Sequence, residues 1–175
     1  MQIELEKTYL LKYIPKDLKN YPNNEYLDIY IPSLITHPVL RIRKRGAEYE
    51  ITKKYPINWR DTSKQHEFTI SLNQAEFDEL EANLKGKRAQ KQRYLYEYQG
   101  KIVEIDVFNG DLKGLILADF EFQTEEEMAK FIPPDFCLIE VTQEKATAGG
   151  MLVGKKYQDI EPILATFGYK PLFLE

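Results

Sequence analysis

Cys137 is the only cysteine in this 175-residue chain, so no intrachain disulfide can form. That usage agrees with a reducing compartment. The apolar neighbours Phe136, Leu138 and Ile139 predict a buried, inert thiol. Histidine is equally scarce. His37 and His66 are too few and too separated to build a histidine metal cluster. His37, just before Pro38, reads as structural or surface, and His66 can sit at the mouth of a cavity. No apolar run approaches the ~18–20 residues that span a bilayer, and the first residues carry no signal-peptide hydrophobic stretch. A cytoplasmic location with no membrane partner is therefore expected. Gly110, Gly114, Gly149 and Gly150 do not compose a phosphate-binding glycine motif. A strong excess of either charge is also missing. The chain has 24 Lys and Arg against 28 Asp and Glu, a formal net charge of -4, so no nucleic-acid partner is expected.

What is present is ordinary globular material, 43% hydrophobic and 13% aromatic. A chain of this length is most simply one domain, 1–175, able to bury roughly 70% of its unfolded surface. Period-two patterning predicts strands over 2–11, 25–31, 39–45, 48–54, 66–71, 91–98, 101–108, 115–123 and 137–142. Gly46-Ala47 and Gln99-Gly100 are the expected hairpin turns. Asn73 predicts a helix to about Leu84 that buries Phe77, Leu80 and Leu84. Thr124 predicts another to Phe131, with Glu127 at the capping-box position and Glu125–Glu127 favouring the helix dipole. A C-terminal helical extension at about 150–175 follows the Gly149-Gly150 break. The polar stretch 56–64, which holds the lone Trp59, reads as a loop. Tyr94, Tyr96 and Tyr98 share one strand face and are expected to pack against helices. The expected class is α+β, with at least eight strands and few helices.

The charged residues carry more information than the apolar ones. Glu4 and Glu6, Glu104 and Asp106, and Asp119 and Glu121 alternate with apolar residues along three strands. Arg41, Arg43 and Arg45, Lys54, and Lys91 and Arg93 do the same on others. Side chains alternate faces along a strand, so each of these segments has one charged face and one apolar face. Such a sheet can lie open with its charges in water, or close into a barrel with the charges inside. Charges in a closed lumen are costly unless paired, metal-bound or solvated. A polyphosphate with divalent cations meets that condition. Arginine and lysine hold phosphate oxygens, carboxylates hold Mg²⁺ or Mn²⁺, and a further carboxylate can orient or deprotonate a water. The chemistry suggested is phosphoanhydride hydrolysis or transfer.

The segments IELEKTYL at 3–10, LRIRKRG at 40–46, YEITKK at 49–54 and KQRY at 91–94 resemble the CYTH, or triphosphate tunnel metalloenzyme, family. VEIDVFNGDLKGLILADFEF at 103–122 and FIPPDFCLIEVTQEK at 131–145 extend the likeness, in family order, over nearly all of the chain up to residue 145. The short bacterial members that hydrolyse inorganic triphosphate are the most similar. The resemblance implies an eight-stranded antiparallel β-barrel with a central tunnel and helices packed outside. It implies phosphate ligands at Arg41, Arg43, Lys54, Lys91, Arg93 and Lys145, and metal ligands for Mg²⁺ or Mn²⁺ at Glu4, Glu6, Asp106, Asp119 and Glu121. Glu104, on the same face, is a weaker metal candidate, and Glu67 stands where a carboxylate aligns the attacking water. The partner expected is a small triphosphate, acting on a monomer or homodimer. Adenylate cyclase, thiamine or nucleoside triphosphatase, and a non-catalytic polyphosphate- or nucleotide-binding module are the alternatives.

Departures from the family pattern are specific. The first signature reads Glu-x-Glu-x-Lys, and its lysine position is Thr8 here. Threonine cannot supply a cationic contact to phosphate, worth roughly 1.5–3 kcal/mol. Lys7 has the wrong strand parity unless a bulge turns it inward. Thr69 replaces a frequent glutamate, Asp119 stands where glutamate is usual, and Ala146-Thr147 replaces an Arg-Tyr pair.

Overall fold

A computed structural model describes residues 2–58 and 60–175, so Trp59 lies outside the described residues. The alternating segments become nine strands: β1 (Gln2–Leu11), β2 (Asn23–Ile31), β3 (Leu40–Arg45), β4 (Glu48–Asn58), β5 (Asp61–Leu72), β6 (Lys87–Tyr98), β7 (Lys101–Phe108), β8 (Ile116–Phe122) and β9 (Cys137–Glu140). Neighbours run antiparallel in the order β5-β4-β3-β2-β6-β7-β8-β1. The ring closes where β5 returns to β1, from Gln2 opposite Glu67 to Leu5 opposite Lys64. Closure removes both sheet edges. The ninth strand lies outside the ring, pairing with Tyr9 to Leu11 on β1 beyond the point where β5 has left it. The expected eight-stranded antiparallel barrel of the α+β class is the fold observed.

The stretch 56–64 is not the expected loop. β4 runs on to Asn58 and β5 starts at Asp61, with Pro56 opposite Gln65 and a register shift before Asn58 meets Asp61. Polarity was misleading there, because this end of the hairpin is polar on both faces, Thr62 and Lys64 outward and Ser63 and Gln65 inward, so no apolar alternation marks it. The hairpin between β6 and β7 does turn at Gln99 and Gly100. Both have positive φ, 51° and 75°, the conformation of hairpin turns whose twist matches the flanking strands.

The described residues form four helices, α1 (Gln74–Asn83), α2 (Glu125–Ala129), α3 (Gly149–Leu152) and α4 (Tyr157–Thr166), and two of the three hydrophobic clusters sit outside the barrel wall, on outward strand faces. The capping box forms at α1, where Asn73 Oδ1 accepts from the Glu76 amide at 3.0 Å and Glu76 accepts from the Asn73 amide at 2.8 Å. At α2 only half of it forms. Thr124 accepts from the Glu127 amide, but the Glu127 carboxylate reaches the Gln123 amide instead of that of Thr124. Helix α1 buries Phe77 against Ile29 and Ile42 on the outer face of β2 and β3. Phe77 is fully buried, so Phe77→Ala is expected to cost about 3–5 kcal/mol, read as a lower midpoint in urea unfolding.

A second cluster joins Leu5, Val103, Ile105, Phe120 and Phe122 to Met128 of α2 and to Phe136. Tyr96 and Tyr98 belong to its fringe and do not pack against helices as expected. Their rings meet Phe136 at 5.7 and 5.6 Å, and Tyr96 also meets Tyr21 at 4.8 Å. The segments that cover β6 on this side are a single 3-10 turn, Leu18–Asn20, and irregular chain.

The third cluster is made by α3 and α4, through Leu152, Tyr157, Ile160 and Leu164, with Leu10, Phe108 and Leu117. By register those three strand residues share a face with Thr8, Asp106 and Asp119. The inner face therefore turns apolar toward this end of the barrel, where the C-terminal helices pack over it. No helix among the described residues is long and apolar enough to cross a membrane.

Candidate functional site

Strand register gathers the alternating charges on the inner face. Glu6 stands opposite Glu121, Thr8 opposite Asp119, Arg93 opposite Asp106, and Lys54 opposite Glu67. β1, β7 and β8 thus form an acidic wall, and β3, β4 and β6 a basic one. Buried charges of this density are tolerated only when paired, and they are paired here. Arg93 donates to both oxygens of Asp106 at 2.6 Å, to Asp119 at 3.1 Å, and to Glu104. Lys91 also bonds Asp106, and Lys54 forms an ion pair with Glu4 and donates to Glu6 at 3.4 Å. Arg43 is held by both oxygens of Asp28 at 2.6 and 2.9 Å, with Glu50 at 3.7 Å.

Arg41 is different. Its Nη1 donates to the Tyr30 hydroxyl at 3.0 Å, its Nε is buried without a hydrogen-bond partner, and no carboxylate among the described residues lies within ion-pair distance. It is a cation set into the wall with a donor still to place.

The acidic wall is overloaded. Carboxylate oxygens of Glu4, Glu6 and Glu121 all lie within 4.8 Å of one another. Burial and the neighbouring Glu6 push the Glu4 carboxyl up to about 7, despite Lys54. Burial, Glu6 and Asp106 push Asp119 up to about 8, and burial with Glu104 and Glu6 raises Glu121. Others go the opposite way. Burial opposes ionisation of Asp106, but Arg93 and Lys91 outweigh it and hold that carboxyl down to about 2. Glu6 is lowered in the same manner, burial being overcome by Lys54 and Arg93. Burial with Arg93 and Arg43 depresses Lys91.

Asp28 was missed by the sequence reading, although Tyr26, Asp28 and Tyr30 alternate within a strand that the reading had placed. It is buried, and burial opposes its ionisation, yet Arg43 and Arg41 hold it far below the usual carboxylate range. A lowered carboxyl contributes its stability in full above the unfolded pKa, ~3.9, and loses it as pH falls through the folded value. Asp28→Asn should therefore destabilise the protein at pH 7 and weaken the further loss of stability below pH ~4, measured as unfolding midpoint against pH.

The predicted residues are placed as follows. Arg41, Arg43, Lys54, Lys91, Arg93, Glu4, Glu6, Asp106, Asp119, Glu121 and Glu104 converge on the lumen face. Of the carboxylates, Asp106 and Asp119 sit within the Arg93 network, and Glu4, Glu6 and Glu121 form the close trio. Glu67 is on the same face and accepts from the Thr69 hydroxyl at 2.9 Å. Lys145 does not join them: it is exposed, in a short 3-10 turn after β9, near His37. No bulge turns Lys7 inward; it pairs with Glu140 on the outer face at 3.3 Å. His66 is not at a lumen mouth. It shares the outer face of β5 with Phe68 and lies against Tyr55, ring centroids 5.4 Å apart, because its parity is opposite to that of Glu67. His37 is exposed, and Cys137 is half-buried with its thiol pushed up to about 12 by burial, as an inert cysteine requires.

Thr8 turns its hydroxyl to Asp119, donating at 2.8 Å. The bond gives Asp119 a neutral partner where a lysine would give it a cation. At the rim near Arg41, Gly149 and Gly150 let the chain pass where no side chain fits. A Cβ on the first would collide with the Tyr30 hydroxyl, and one on the second with the Pro38 carbonyl.

The chain was compared with known proteins. No family model matches it. It is 33% identical to an inorganic triphosphatase of Nitrosomonas europaea over 145 residues, 81% of this chain and 91% of that protein. A crystal structure of an inorganic triphosphatase superposes with a TM-score of 0.62 at 26% identity, covering 87% of this chain and 95% of the other. A putative adenylate cyclase from Bacillus halodurans covers all of this chain, and 96% of its own, with a TM-score of 0.53. At 16% identity that second likeness is one of fold alone.

Proposed function

From its place in the CYTH, or triphosphate tunnel metalloenzyme, family, to which the chain belongs, we propose that it hydrolyses inorganic triphosphate to diphosphate and phosphate. The observation that carries this reading is Arg41, a lumen cation with no carboxylate partner among the described residues, set among Arg43, Lys54, Lys91 and Arg93. A polyphosphate supplies the acceptors that Arg41 lacks, and it competes for the donors now held by carboxylates.

Glu4, Glu6 and Glu121 fit a divalent cation. They are hard oxygen donors gathered closely enough that burial and mutual repulsion raise Glu4 and Glu121. These three would hold Mg²⁺ or Mn²⁺. When bound, the ion neutralises phosphate charge and polarises phosphorus. The remaining steps belong to the chain. Arg41, Arg43, Lys54, Lys91 and Arg93 fix the phosphate oxygens and stabilise the charge that develops in the transition state. Glu67, oriented by Thr69, accepts a hydrogen bond from a water and aligns it with a terminal phosphorus. The new water oxygen–phosphorus bond forms as the bridging phosphorus–oxygen bond breaks, diphosphate leaves, and the water proton passes to Glu67. The substrate is a small anion in a cytoplasmic protein, with no nucleic-acid or membrane partner required.

The test is phosphate release from tripolyphosphate, ATP and thiamine triphosphate with Mg²⁺ or Mn²⁺, alongside a cyclic AMP readout. Release from tripolyphosphate, abolished by a chelator and faster than from the organic triphosphates, is expected. Tight tripolyphosphate binding without turnover would replace the enzyme with a binding module, and neither binding nor turnover would end the assignment. Thr8→Lys is expected to raise turnover several-fold, since it places a cation beside Asp119. An unchanged or lower rate would show that the wild-type grip is already complete.

A further inference from the structure

The geometry points to Tyr26 as a positioning residue for the phosphate grip, its ring face holding Arg43, Arg93 and Lys91 without itself occupying their N–H donors. This role rests on the proposed function. Tyr26 is 4% exposed and lies on the inner face of β2, between its register partners Arg45 on β3 and Lys91 on β6. The Arg43 guanidinium carbon lies 4.8 Å from the centroid of its ring, that of Arg93 5.2 Å, and the Lys91 ammonium 5.8 Å. Three cations from β3 and β6 thus meet one aromatic ring from the strand between them.

The chemistry explains why a ring suits this place. Cations brought together to bind a polyanion repel one another before it arrives. A carboxylate relieves the repulsion but occupies their donors and lowers the net positive charge that attracts phosphate. The quadrupole of an aromatic face attracts cations without accepting a directed hydrogen bond and without adding formal charge. Asp28 and Asp106 hold Arg43 and Arg93 from one side, and the Tyr26 ring steadies them from another.

The test substitutes position 26 with phenylalanine and with phenylalanines carrying one, two and three ring fluorines, which withdraw charge from the ring face while nearly preserving its shape. Tripolyphosphate affinity is measured by calorimetry in metal-free buffer, so that no turnover intervenes, with unfolding midpoints as a control on packing. Tyr26→Phe is expected to bind within about twofold of wild type, and the dissociation constant to climb with each fluorine to about tenfold, a size typical of desolvated cation–π contacts. Tyr26→Leu should bind at least as weakly as the trifluorinated form. A flat series, a Tyr26→Phe as weak as Tyr26→Leu, or losses that merely follow falling unfolding midpoints would overturn the role. Wild-type chain that neither binds nor cleaves tripolyphosphate would remove the proposed function and this role with it. Binding by the wild type with a flat series would remove the role alone.

Discussion

Arg93→Ala is expected to lower turnover of tripolyphosphate on the order of 10²–10³-fold, the usual cost of losing a preorganised donor to a developing charge. It is also expected to destabilise the protein by about 3–5 kcal/mol, because removing one partner of a buried pair leaves the other uncompensated. Asp106 is 2% exposed, and Arg93 holds both of its oxygens as well as Glu104 and Asp119. Lys91 alone would then face that set of carboxylates. The double variant Arg93→Ala with Asp106→Asn separates the two effects. It should recover much of the lost stability in urea unfolding, since the stranded carboxylate is gone, and none of the turnover, since the phosphate donor is gone too. Recovery of turnover would show that Arg93 serves only to neutralise Asp106.

Glu4→Gln has the opposite signature on stability. Turnover should fall at least ~100-fold, beyond the 10–100-fold typical of losing an outer-shell partner of a metal site. Thermal stability in metal-free buffer at pH 8 should rise. The sign follows from the raised carboxyl at Glu4, up to about 7 through burial and Glu6. A carboxyl raised by folding costs stability as pH climbs from its unfolded value through its folded one, because the folded state must hold a charge it disfavours. Glutamine carries no charge to hold, so the wild type should lose stability relative to the variant between pH ~4.5 and 7 and the difference should then level off. Adding Mg²⁺ should stabilise the wild type and leave the variant less affected. A Glu4→Gln protein less stable than wild type at pH 8 would mean that the Lys54 pair, and not the carboxylate repulsion, dominates at this site.

Much of this architecture was legible from residue order. The parity of Glu4 with Glu6, Arg41 with Arg43, and Asp119 with Glu121 survives in the structure because strand geometry admits only two faces. The strand ends around 56–64 were hidden, because polar side chains on both faces look like those of a loop. Asp28 was hidden for another reason. A single acid between Tyr26 and Tyr30 carries no pattern of its own, and only its contact with Arg43 gives it meaning. Lys145 shows the converse case, for the family resemblance implied a phosphate ligand while the structure sets it exposed in a 3-10 turn after β9.

The sequence by itself determined that acidic and basic strands exist, that each has one charged face, and that no disulfide could staple them. Those are properties of local geometry and composition, set residue by residue. Only the tertiary structure decided which acid meets which base. Closure of β5 onto β1 turns one face of a sheet into an interior, and burial there sets the carboxyls apart, Asp106 held low by Arg93 and Lys91, Glu4 and Asp119 driven high. It also left Arg41, among the described residues, as a lumen cation without a carboxylate partner and brought Tyr26 against Arg43, Arg93 and Lys91. Such selections depend on distances across a lumen between residues far apart in sequence, and strand periodicity contains no information about them.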